Sequence, residues 1–165
     1  MDQPASFEDQ LTALLPRLRR FAHALSRDSA DADDLAQATV ERALRSRDQW
    51  QPGTRLDSWA CRIMRNLWID TARARSRKSA REAPEEEGLS VGDDPRDAMD
   101  ASLDLQRVMA AMSRLPDEQR EVVALILVEG FGYREASEML GLPIGTVSSR
   151  LVRGRTSLLA MVGER

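Results

Sequence analysis

Residues 133–155 read YREASEMLGLPIGTVSSRLVRGR. This stretch has the anatomy of a helix-turn-helix. A short helix over residues 134–140 meets a tight turn at Gly141, and a second helix opens near Pro143. Ala136 stands where two helices approach closely, and Leu140, Leu142, Val147 and Leu151 close a small core. That arrangement directs Ser148, Ser149, Val152 and Arg153 outward, with Thr146, Arg150 and Arg155 on the flanks. Hydroxyls and guanidinium groups near a helix N-terminus suit major-groove edges and phosphates. A plain helical hairpin with a basic surface has the same spacing, so both readings stand at this level.

Working outward, helix periods continue on both sides. Leu105, Val108, Met109 and Met112 mark a helix that Leu115-Pro116-Asp117 breaks. Asp117 is a candidate cap for the next helix, which runs to about Glu129 and ends at Gly130. The last helix starts at Leu142-Pro143 and continues to about Val162. At the other end, Leu11, Leu14, Leu15, Leu18, Phe21, Ala22 and Leu25 recur at helical steps. Ser6 with Asp9 resembles a capping pair, and Pro16 is expected to kink or restart the segment. A second helix follows Asp28-Ser29, which can cap it, with the apolar stripe Ala32, Leu35, Ala36, Thr39, Val40, Ala43 and Leu44. A loop at residues 50–55 precedes a third helix over residues 56–79, in which Leu56, Trp59, Ala60, Ile63 and Leu67 face a core and Trp68 falls beside that stripe. Residues 80–98 hold Pro84, Gly88, Gly92, Pro95 and many acids, and read as a mobile linker between two helical units.

Composition narrows the function classes. The 165 residues are 42% hydrophobic but only 4% aromatic, so the cores rest on Leu, Val, Ile, Met and Ala. No apolar run nears the ~20 residues that a membrane span needs, and the N-terminus has no secretory signal pattern. One cysteine, Cys61, and one histidine, His23, leave no disulfide and no Cys- or His-rich metal site. Cys61 reads as a buried or half-buried thiol and His23 as a helix-surface or boundary residue rather than a ligand. The chain is expected to be cytoplasmic and all-α, with no cofactor, metal or catalytic residue. The net charge of −3 hides an asymmetry. Residues 55–81 carry eight Arg or Lys against two acids, whereas residues 82–104 carry nine acids against one Arg.

Two sets of motifs resemble the extracytoplasmic-function sigma factors of bacterial RNA polymerase. The C-terminal set is Leu115-Pro116 with Gln119-Arg120, Glu129-Gly130-Phe131-Gly132-Tyr133-Arg134-Glu135-Ala136, Gly145-Thr146-Val147-Ser148-Ser149-Arg150-Leu151 and Arg153-Gly154-Arg155. The N-terminal set is Asp31-Ala32-Asp33-Asp34-Leu35-Ala36-Gln37, then Ser58-Trp59, Arg62-Ile63-Met64-Arg65-Asn66-Leu67 and Asp70. The loop Gln51-Pro52-Gly53-Thr54 and the segment Gly130-Phe131-Gly132-Tyr133 look like the alphaproteobacterial general-stress subgroup.

The resemblance implies three domains of labour: sigma region 2 over residues 1–80, a linker over 81–100 and sigma region 4 over 101–165. Region 2 binds core polymerase and melts the minus-10 element; region 4 reads the minus-35 element. Asp33, Asp34, Leu35, Gln37 and Glu41 match the surface that docks on the β′ clamp helices, and region 4 meets the β flap. Trp50 and Asn66 match a pocket for a flipped base of the minus-10 strand, where an aromatic stacks and an amide reads a base edge. Arg62, Arg65 and Arg73, with Arg75, Arg77 and Lys78, suit phosphates. Thr146, Ser148, Ser149, Arg150, Val152, Arg153 and Arg155 match the minus-35 reader. The acidic linker would run toward the RNA path of polymerase. Partners implied are core polymerase, promoter DNA and an anti-sigma factor, without membrane insertion. Two departures blur the promoter: Ser148 where the family commonly has Lys or Arg, and Ala38 where an acid is common.

A stand-alone helix-turn-helix regulator would explain the C-terminal unit but leave the basic third helix idle. A metal-dependent nuclease using the acids at 82–104 would lack the rigid frame that catalysis needs.

Overall fold

The helices start where side-chain oxygens are available for unpaired amides. The Ser6 hydroxyl accepts from the Asp9 amide at 3.1 Å and caps α1 (Phe7–Leu25). Asp28 accepts from the Asp31 amide at 2.8 Å and caps α2 (Ser29–Arg45). Both agree with the sequence, and each such cap contributes ~1 kcal/mol. The computed structural model describes residues 3–81 and 100–163.

α1 runs unbroken through Pro16, so the helix does not restart there. Pro16 is exposed, so the carbonyl left without its helical donor lies on the water side. The buried stripe of Leu11, Leu18, Phe21, Ala22 and Leu25 is undisturbed.

A short 3-10 turn (Arg47–Gln49) that periodicity does not reveal leads to α3 (Leu56–Arg81). α1, α2 and α3 pack mutually around Phe21, Leu25, Ala32, Thr39, Ala43, Ala60, Cys61 and Met64. Leu56 and Ala60 are buried as expected, but Trp59, Ile63 and Leu67 are only half-buried, whereas Cys61 and Met64 are fully enclosed. Small side chains fill the tightest part of the contact, and Trp59 sits at its margin against Phe7, with ring centroids 6.1 Å apart.

The second unit contains α4 (Asp100–Arg114), α5 (Asp117–Val123), a π-helical turn (Ala124–Val128), α6 (Tyr133–Leu140) and α7 (Ile144–Gly163). The expected linker falls between α3 and α4, outside the described residues. Asp117 does not cap α5; it lies within the helix, and Pro116 stands at the cap position without a side-chain acceptor. The Asp117 carboxylate instead accepts from Arg120 at 3.2 Å and from Arg27 at 3.4 Å.

Among the described residues Arg120 is the largest fully buried side chain. It donates to the carbonyls of Met112 at 2.9 Å, Leu115 at 2.5 Å and Leu25 at 3.0 Å. One guanidinium thus serves the chain end of α4 and the last residue of α1, where helical carbonyls lack amide partners. Burial pulls its pKa down, opposed by Asp117. Gly141 ends α6 with φ +64°, a left-handed conformation that favours glycine. Gly154 lets α7 approach α5: a Cβ there would lie 2.8 Å from Val123 Cγ2. The two units share one continuous core, with α1 touching α4, α5 and the π-helical turn.

Candidate nucleic-acid interface and polymerase-facing surface

α3 separates two kinds of residue by its own period. Cys61 and Met64 point into the core, while Arg62, Asn66, Asp70, Arg73 and Arg77 are exposed at three- and four-residue steps. Arg62, Asn66 and Arg73 therefore form an open polar stripe. Arg65 leaves that stripe: its side chain is 17% exposed, and its Nε donates to Glu121 at 3.0 Å. Burial raises the Glu121 pKa, and the Arg65 partner opposes that shift. Trp50 is half-buried, with its ring 5.6 Å from Phe7 and its Nε1 buried without an acceptor. Trp50 is thus a partly packed residue beside a turn. Arg75 reaches Asp31 at 2.8 Å, a bond that heads the causes holding the Asp31 carboxyl below its usual range.

The helix-turn-helix has the expected form. Ala136, Leu140, Val147 and Leu151 are buried, and Leu142 is half-buried. Ser149, Val152, Arg153 and Arg155 are exposed, while Thr146, Ser148 and Arg150 are half-buried. Arg150 lies 3.6 Å from Glu118, and the Ser149 hydroxyl donates to the Thr146 carbonyl at 3.1 Å.

On α2, Asp33, Asp34, Gln37 and Glu41 are exposed along one face. Gln37 donates to Glu41 at 3.4 Å. Leu35 does not join them. It is 8% exposed and packs into the core, because its position on the apolar stripe turns it away from the acids. His23 is half-buried, 3.7 Å from Asp33. The Cys61 thiol is enclosed, and burial, reinforced by Glu129, pushes its pKa up to about 12. Among the described residues no group of His, Cys, Asp or Glu is arranged to hold a metal ion. No helix among them is long and apolar enough to cross a membrane.

The comparisons join these surfaces to known proteins. Residues 11–78 match the family description "Sigma-70 region 2", and residues 105–158 match "Sigma-70, region 4". The chain is 37% identical over 157 residues to the ECF RNA polymerase sigma factor EcfG of Rhodopseudomonas palustris, covering 95% of this chain and 85% of that one. It belongs to the ECF sigma factors.

Two solved structures share the fold of this sigma factor. One is the sigma factor RpoE in complex with the anti-sigma factor NepR from Bartonella quintana: TM-score 0.78, 32% identity, covering 96% of this chain and 98% of that one. The other is CnrH in complex with the cytosolic domain of CnrY: TM-score 0.67, 25% identity, covering 95% and 87%. Sigma factors serve transcription initiation, and regions 2 and 4 imply a polymerase core and promoter DNA as partners.

Sequence reasoning missed the carboxylates that tie region 4 to region 2. Glu129 has a fully buried side chain that accepts from Arg17 at 2.6 Å and from Arg20 at 3.1 Å. Glu135 accepts from Arg55 at 2.7 Å, and Glu121 accepts from Arg65. The available signal was that Glu121 and Glu129 bracket the apolar run of residues 122–128. A cavity of ≈ 290 Å³ lies along this seam, lined by Trp68, Ile69, Ala72 and Arg73 of α3 and Asp117, Glu118 and Glu121 of α5.

Proposed function

We propose that this sigma factor is a non-enzymatic, dissociable subunit that directs core polymerase to a set of stress promoters. The observation that carries the reading is the pairing of regions 2 and 4, in order on one chain, with an exposed polar stripe on each. Arg62 and Arg73 of α3 hold minus-10 phosphates while Asn66 reads a base taken out of the stack. Trp50 supports the loop beside that pocket through its contact with Phe7. Arg65 joins the phosphate contacts. At the other end, Thr146, Ser148, Ser149, Arg150, Val152, Arg153 and Arg155 read the minus-35 duplex. Asp33, Asp34, Gln37 and Glu41 meet a basic surface on the β′ clamp helices, Leu35 shapes their helix from beneath, and region 4 meets the β flap. The protein acts in the cytoplasm under an anti-sigma factor. The domain limits proposed are residues 1–80 and 101–165 around a linker at 81–100.

The test is transcription with purified core polymerase on fragmented genomic DNA, mapping RNA 5′ ends with and without the protein. New starts that share two upstream elements at fixed spacing are expected. Asn66→Ala should abolish most starts by weakening minus-10 capture. Arg153→Ala should weaken starts by about tenfold, the loss of one good base or phosphate contact. If no start depends on the protein, the reading fails, and a stand-alone regulator takes its place.

A further inference from the structure

Among the described residues, the ion pairs between the two regions run in one direction. Region 2 supplies the cations Arg17, Arg20, Arg27, Arg55 and Arg65, and region 4 supplies the carboxylates Glu129, Asp117, Glu135 and Glu121. A seam formed only by apolar packing would show no such polarity. Cations that contact nucleic acid are the ones a row of carboxylates can occupy in place of phosphates, because both ligands offer paired anionic oxygens to a guanidinium fork.

Glu129 is the centre of the row. Its two carboxylate oxygens take Arg17 and Arg20, and its backbone carbonyl takes a second bond from Arg17 at 2.9 Å. Arg17 also bonds Asp57 and lies 5.0 Å above the Phe131 ring. Arg55 approaches the same ring at 5.4 Å while it bonds Glu135, which also accepts from the Ser58 hydroxyl at 3.3 Å. Phe131 thus lies under two guanidinium groups of region 2, which adds a cation–π attraction to each. At the far end Glu121 withdraws Arg65 from the open stripe of α3.

We propose that Glu121, Glu129 and Glu135 form an internal nucleic-acid mimic: in the free chain they latch region 4 onto region 2 and keep Arg65 from DNA. The latch is intramolecular and needs no inhibitor. It must open before region 2 can use Arg65 on a phosphate, and high salt or a competing polyanion favours opening. This inference rests on the phosphate role given to Arg65 above. Its first readout, the distance between the regions, is independent of that role and of promoter activity.

The experiment compares the full chain with the triple variant E121Q/E129Q/E135Q. A control, Glu138→Gln, removes one exposed charge from α6 that pairs with none of these arginines. A second variant, R17Q/R20Q, attacks the latch from the region 2 side. Far-UV circular dichroism checks that each remains helical, and small-angle scattering on the monomer reads the radius of gyration. Both latch variants should expand while the control stays compact, and wild type should expand as salt is raised. Affinity for a mixed-sequence single-stranded DNA oligonucleotide should rise about tenfold in the triple variant. Adding Arg65→Ala to that variant should remove most of the gain. Unchanged compactness in both latch variants would overturn the latch. Expansion without tighter DNA binding would overturn the mimicry. Absence of promoter-dependent starts, with both readouts as expected, would count against the sigma reading and leave the latch standing.

Discussion

Arg120→Ala strips a donor from three buried carbonyls at once. An unsatisfied buried polar group costs about 1–3 kcal/mol, so the variant should lose roughly 3 kcal/mol or more in urea unfolding. An unchanged midpoint would mean that water replaces the guanidinium. Gly154→Ala drives a methyl group to 2.8 Å from Val123 Cγ2 and 3.3 Å from Gln119 Cβ. Overpacking costs about 1–3 kcal/mol, and the better helix propensity of alanine returns ~1, so a net loss on the order of 1 kcal/mol is expected. A rise in Tm would show that α5 and α7 separate easily. The Cys61 thiol, pushed up to about 12 by burial, should ignore a disulfide reagent at mildly alkaline pH until denaturant is added. At this scale the sequence revealed what neighbours in the chain decide: the caps at Ser6 and Asp28 and the stop at Gly141. It concealed Arg120, Glu121 and Glu129, because charged residues are normally at the surface and only distant partners make their burial possible.

The helices follow the same division. Apolar positions at three- and four-residue steps located each one, since that period alone gives a helix a buried face. Pro16 does not end its helix, because it lies on the exposed face. Its place on the water side yields a prediction: Pro16→Ala should stabilise the chain by roughly 2 kcal/mol, since proline is ~3 kcal/mol less favourable than alanine inside a helix. No gain in thermal unfolding would mean that the proline already limits the unfolded chain by as much. The exposed stripe of α3 was legible as a basic helix with Asn66, but the removal of Arg65 from it was not. Periodicity assigns a residue to a face, whereas Glu121 that captures it lies 56 positions away along the chain.

Over the whole molecule, pH acts through carboxylates that arginines of region 2 hold. Burial would raise the Asp57 pKa, but hydrogen bonds from Arg55 and Arg17 outweigh it and hold the carboxyl below its usual value. A carboxylate depressed in the folded state contributes stability above its unfolded pKa of about 4. That contribution is lost as pH falls through the lower, folded value. Asp31 behaves alike through Arg75. Glu121 runs the other way: its folded pKa is raised, so its ionised form costs stability near neutrality and the cost fades on acidification. Stability should therefore fall most steeply below about pH 4, and Asp57→Asn should flatten that limb while lowering the neutral plateau. A limb that is unchanged in Asp57→Asn would sink this account.

The all-α class, the order of the two units, the recognition helix and the ECF family resemblance were all legible in the residues alone. These depend on local period, capping chemistry and short motifs, all written within a few turns of chain. Tertiary packing alone withdraws Arg65 from the α3 stripe, rests Trp50 on Phe7, and lets acids of one region hold arginines of the other. Each of these is a contact between distant residues. Its free energy depends on burial and on the spatial alignment of charges, which the linear order of residues does not state.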